Sequence, residues 1–146
     1  MVGAEINMVV RDSLQALALY ESIFEVERLE VTNYESGLNE AIFSIYGLRF
    51  HLLDENPDYS LVAPKAGEVK SFWVNFLVPD IQETYAKALA AGCQEIQPIT
   101  RVEEMGVSNA IFSDPFGYIW LIHQVHCPVS FEERCEFFEK QMQGKS

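Results

Sequence analysis

Among the residues of this chain that could do chemistry are three histidines, three cysteines and two tryptophans. His123 and His126 stand close together in the run "HQVH". A shared metal would need both on one side, but positions i and i+3 of a strand point to opposite faces. Cys93, Cys127 and Cys135 are odd in number and form no CxxC pair, so they read as free thiols. None sits in a motif that would activate it as a nucleophile. Asp54, Glu55 and Asp58 form an acidic loop, but a calcium site wants a fuller ligand pattern, and they are expected to be solvated. There is no nucleophile elbow and no phosphate-cradling glycine loop. Trp73 can offer its face to a planar or cationic group, or serve as an ordinary core aromatic.

These residues need elements to hold them, and the composition limits what those can be. The chain has 146 residues, 49% hydrophobic, 22% charged and 12% aromatic, as in a soluble globular domain. No apolar run approaches the roughly 20 residues that span a membrane. The start, "MVGAEINMVVRD", has no basic segment followed by a long apolar run, and a cytoplasmic location is expected. The net charge of −12 argues against nucleic acid, whose phosphates it would repel. Such acidity serves solubility, or attracts cationic small molecules.

The order of elements is written twice. In "EINMVVRDSLQALALYESIF" (5–24), Ile6, Met8 and Val10 face one way and Glu5, Asn7 and Val9 the other. Asp12 then caps a helix whose apolar face is expected to hold Leu14, Leu17, Ala18 and Phe24. In "SFWVNFLVPDIQETYAKALAAG" (71–92), Phe72, Val74, Phe76 and Val78 alternate with Trp73, Asn75 and Leu77. Asp80 caps a helix with Ile81, Tyr85, Ala88 and Leu89 on its face, and Gly92 ends it. Strands follow at 26–34, 40–46 and 48–54 in the first half, and at 94–100, 107–113 and 118–125 in the second. The fold class is therefore α+β, with two tandem βαβββ modules at about 4–54 and 71–126. A polar linker covers 55–70. Each module is too small for a good core alone, so residues 1–146 are expected to form one domain. A last helix over 130–142 carries Phe131, Cys135, Phe138 and Met142 in one stripe. It docks either on the body or on a second subunit.

Together, "VVRDSLQALALYESIF" and "AIFSDPFGYIWLI", in this order and on this repeat, resemble the vicinal oxygen chelate superfamily of glyoxalase I, extradiol dioxygenases and bleomycin and fosfomycin resistance proteins. The "DPFG…W" ending is similar to that of the PhnB-like branch. There, relatives often carry Trp-Gly-x-Arg where this chain has Met105-Gly106-Val107-Ser108. The resemblance implies a curved mixed sheet around a cleft, with helices on its convex side. Tyr118, Trp120 and Ile122 should then pack under a helix, and Ile119, Leu121 and His123 should face the cleft. It also implies one divalent metal (Zn, Ni, Fe or Mn) held from the first and last strands of each module. Carried over, those positions are Glu5, His51, Trp73 and Leu121. Trp offers only an N–H donor and Leu nothing, so no metal is expected; if one binds, Glu5 and His51 would hold it.

The cleft lining that follows is Glu5, Asn7, Arg49 and His51 as a polar pole, with Trp73, Leu77, Ile119 and Leu121 as an apolar wall and His123 beside it. An apolar cleft with a few convergent polar groups suits a small molecule. Three readings stay open. One is a binder with a degenerate metal site that sequesters a cationic compound, as bleomycin-resistance proteins do. Another is a metal-dependent lyase, isomerase or dioxygenase using Glu5 and His51. The third is an interaction module acting through the C-terminal helix. A homodimer is implied by the resemblance.

Overall fold

In the computed structural model, which describes residues 1–65, 67–68 and 70–144, each half folds as β-α-β-β-β. Ala66 and Val69 of the expected linker lie outside the described residues. Module 1 comprises β1 (Ile6–Val10), α1 (Ser13–Ile23), β2 (Val26–Val31), β3 (Glu40–Ile45) and β4 (Leu48–Asp54). Module 2 comprises β5 (Val74–Leu77), α2 (Ile81–Ala90), β6 (Gln94–Val102), β7 (Val107–Ser113) and β8 (Ile119–Val125), and α3 (Phe131–Gln143) follows. The strands make two four-stranded mixed sheets, ordered β1-β4-β3-β2 and β5-β8-β7-β6. In each, the first strand pairs in parallel with the last, and the other pairs are antiparallel.

The caps form as the sequence specifies. The Asp12 carboxylate accepts from the Leu14 and Gln15 amides, Asp80 from Glu83, and the Ser130 hydroxyl from Glu133, which satisfies orphan donors at each helix start. Gly92 adopts φ +99 just beyond α2, a conformation that glycine reaches without steric cost.

One core joins the modules. Phe50 of β4 lies 6.0 Å from Trp120 of β8 and 6.2 Å from Phe76 of β5, ring centre to ring centre. Phe24, just past α1, packs edge-on to Phe76 at 5.1 Å. Such aromatic pairs add to the area they bury. The core's polar centre is Asp114, which is buried. Its carboxylate accepts from the Tyr20 hydroxyl (2.6 Å), the Trp120 indole (2.8 Å) and the amides of Phe116 (2.8 Å) and Tyr118 (3.0 Å). The Asp-Pro-Phe-Gly turn thus ties module 2 to α1 of module 1.

This tie explains one departure from the expected pattern. The buried face of α1 is Ser13, Ala16, Leu17, Tyr20 and Ile23, while Leu14 is half-buried and Ala18 exposed. The helix is rotated so that Tyr20 reaches Asp114. Leu89 of α2 is likewise exposed, and Thr84 is buried in its place. Asp54 also departs from expectation. It is buried and accepts from the backbone amides of Ser13 (2.7 Å), Gly37 (2.9 Å) and Asn39 (3.0 Å). It is the anchor of module 1, not a solvated loop residue.

Candidate functional site

The helix-side faces of both sheets line the shared core, so the opposite faces turn outward. On module 1 the register sets Asn7, His51, Ile42 and Glu30 in one row, and Arg49, Ser44 and Glu27 in the next. Directly paired residues share a face. Ile42 is buried yet stands outside the main core cluster. A β-bulge at Leu29 keeps Glu27 and Glu30 on this face, while Arg28 turns to the helix side to bind Glu21 at 2.7 Å.

Glu5 enters this face from just before β1. Its carboxylate accepts from Arg49 Nε at 2.8 Å and meets His51 Nδ1 at 2.8 Å. The second ring nitrogen of His51 lies 3.3 Å from Glu40. The Arg49 hydrogen bond, then that of His51, holds the Glu5 carboxyl below its usual range. Three of the expected polar residues thus form one connected group, with Asn7 beside His51 across the β1–β4 pair.

The outward face of module 2 differs. Leu121 and Ile111 pair across β8 and β7, with Asn75 and Gln97 flanking them. Asn75 Oδ1 lies 2.7 Å from His123 Nδ1, and Gln97 donates to Asn109 at 2.6 Å. Burial lowers the pKa of His123, which favours a neutral ring. Leu77 is 60% exposed. Trp120 and Ile122 are buried on the helix side as expected, and Tyr118 donates its hydroxyl to Val9 O at 2.9 Å.

Trp73 precedes β5 as Glu5 precedes β1, and it is 48% exposed. It borders a groove of about 280 Å³ that also takes in Asn7, Phe72, Tyr118 and Ile119. The structure therefore gathers Asn7, Trp73 and Ile119 in one groove. Glu5, Arg49 and His51 sit apart on module 1, and Leu77, Leu121 and His123 on module 2. Sequence reasoning missed Glu27, Glu30 and Glu40 as members of the polar face. Alternation along β3 places Glu40 with Ile42 and Ser44, and the bulge in β2 breaks the alternation that would have placed Glu27 and Glu30. His126 pairs with Ser108 at 2.8 Å, away from His123.

The metal positions that the sequence resemblance implies can be tested against the donors present. Both Glu5 oxygens are engaged, by Arg49 and His51. Trp73 and Leu121 supply no lone pair to a cation. Among the described residues, no group of three or more His, Cys, Asp or Glu is placed to hold a metal ion. The residues do not fit the implied centre.

Residues 4–122 match the Glyoxalase/Bleomycin resistance protein/Dioxygenase superfamily. The chain belongs to this superfamily. Among solved structures it is similar to the fosfomycin resistance protein FosX from Listeria monocytogenes, complexed with Mn(II) and sulfate. That match has 18% identity and a TM-score of 0.66, over 94% of this chain and 99% of that one. FosX from Mesorhizobium loti matches at 15% identity and TM-score 0.64, over 93% and 99%. TioX from Micromonospora sp. ML1 matches at 19% identity and TM-score 0.62, over 84% and 99%. At these identities the likeness is one of fold. No curated protein matches the sequence. Just before β1 and on β4, module 1 carries the Glu5–His51 pair; just before β5 and on β8, module 2 carries Trp73 and Leu121.

Proposed function

We propose that this protein binds an amphipathic cationic small molecule without a resident metal, in a cleft completed by a second copy of the chain. The observation that carries the reading is the chemistry of the two outward faces. Module 1 offers Glu27, Glu30 and Glu40 around a single arginine; module 2 offers Leu77, Ile111 and Leu121 among amides. A ligand with an apolar body and a positive end matches the pair. Opposed acidic and apolar walls give both attraction and burial. The net charge of −12 adds long-range attraction.

Both faces point away from the core that joins them within one chain. The strands β1 and β5 each lie at the edge of their sheet. A two-fold axis that sets β1 of one copy beside β5 of the other would bring an acidic face and an apolar face together twice. On this reading residues 1–146 act as one domain in a cytoplasmic homodimer, with no nucleic-acid partner and of the PhnB-like kind that the DPFG turn suggests.

A matched pair of probes tests this. N-methylacridinium and neutral acridine share a ring system and differ in charge. Above neutral pH the cation should quench tryptophan fluorescence saturably, and at least tenfold more tightly than acridine. Added salt should narrow that difference, and chelator should not change it. Equal affinities, or binding abolished by chelator, would refute the proposal.

A further inference from the structure

We infer that Arg49 is a built-in cation that closes the Glu5–His51 pair to divalent metals. The inference deepens the metal-free binding proposed above and rests on it. Glu5 and His51 are a carboxylate and an imidazole, a pair of ligand types that a divalent ion takes, and their spacing would suit an ion. Two ligand atoms in cis on a metal, each about 2.1 Å from it, lie about 3 Å apart. Glu5 Oε1 and His51 Nδ1 are 2.8 Å apart.

What differs is the company they keep. Arg49 and His51 lie two residues apart on β4, so both project from the outward face. Arg49 Nε donates to the second Glu5 oxygen at 2.8 Å. An ion at the pair would sit beside the guanidinium that already holds Glu5, and like charges at such range repel. His51 is held as well, since its far nitrogen faces Glu40 at 3.3 Å. The carboxylate that would neutralise a metal already neutralises Arg49. Arg49 acts here as a positioning and specificity-determining residue, not a catalytic one.

The test is a calorimetric titration of the 146-residue chain with Co(II) alone, with near-ultraviolet circular dichroism as the control for folding. The wild type and Arg49→Lys, which keeps the positive charge, should show no stoichiometric binding at submillimolar metal. Arg49→Met should gain at least tenfold in Co(II) affinity and show an imidazole-bound visible absorption band. The double variant Arg49→Met/His51→Ala should lose both. An Arg49→Met protein that is folded and binds Co(II) no better than wild type overturns the role of Arg49 and leaves the acridinium result untouched. A wild type that takes up one Co(II) per chain overturns both this inference and the metal-free reading.

Discussion

The outward face of module 1 carries Glu27 and Glu30 on β2 and Glu40 on β3; the matching strands of module 2, β6 and β7, present Gln97, Asn109 and Ile111. The inward faces show no such contrast, since each has an aromatic row against the shared core. Core packing constrains what lies between the modules and leaves the outward faces free to differ. The strand entrances differ in the same way. Glu5 is drawn into a charged group, whereas Trp73 stays half-open beside an apolar groove. One fold thus carries an acidic wall and an apolar wall.

The anchors of the two modules offer the largest test. Asp114 holds side-chain donors from both modules; the donors to Asp54, the amides of Ser13, Gly37 and Asn39 among them, all belong to its own module. Buried donors left unpaired cost about 1–3 kcal/mol each. Asp114→Ala should therefore lose about 3 kcal/mol or more in denaturant unfolding, and Asp54→Ala somewhat less. Equal losses would show that Asp114 does not join the modules. Next in size is the charge contrast. Glu30→Lys should weaken N-methylacridinium binding by roughly tenfold and leave acridine unchanged, about 1.4 kcal/mol; Leu77→Lys should weaken both probes.

A pH titration of stability separates the two faces further. Burial is the largest single effect on the Asp54 carboxyl and raises it, but the hydrogen bonds from Ser13, Asn39 and Gly37 together outweigh it and hold the group below its usual range; Glu5 is also lowered. Groups with lowered folded pKa values contribute stability above the ordinary carboxylate range and lose it as pH falls through the folded pKa. His123 begins its loss earlier, as pH drops below the ordinary imidazole value of 6.5. The melting temperature should fall in two stages on acidification. His123→Gln should remove the upper stage and Asp54→Asn should flatten the lower. A smaller effect concerns the thiols. Burial pushes Cys93 up to about 12, so a thiol reagent should modify exposed Cys127 first and Cys93 only on unfolding.

Element order, caps and the twofold repeat were legible in the sequence because alternation and Asp caps are local signals. The strand ends were set by pairing: β5 begins at Val74 and leaves Phe72 and Trp73 outside it. The phase of α1 was not legible. It depends on a contact between Tyr20 and Asp114, 94 residues apart. The polar pole was read in part, since Glu5, Arg49 and His51 do meet, while the bulge in β2 concealed Glu27 and Glu30. The C-terminal helix forms with its stripe as expected, but Phe131 and Phe138 are 67% and 60% exposed. No residue of α3 is buried, although the helix meets the turn at Glu103–Met105 and Cys135 is half-buried, so much of the stripe stands open to solvent.

The central claim is that an acidic face from one copy meets an apolar face from the other. A mixed dimer of Glu30→Lys and Leu77→Lys chains tests it most directly, by the stoichiometry of N-methylacridinium binding at wild-type affinity. If the cleft is shared, one site combines both defects and the other combines two unaltered faces. The mixed dimer should then show one intact site, half the wild-type number. If each cleft lies within one chain, every site carries a defect. A mixed dimer with no intact site, or a wild-type protein that binds the probe fully as a monomer, would contradict the account.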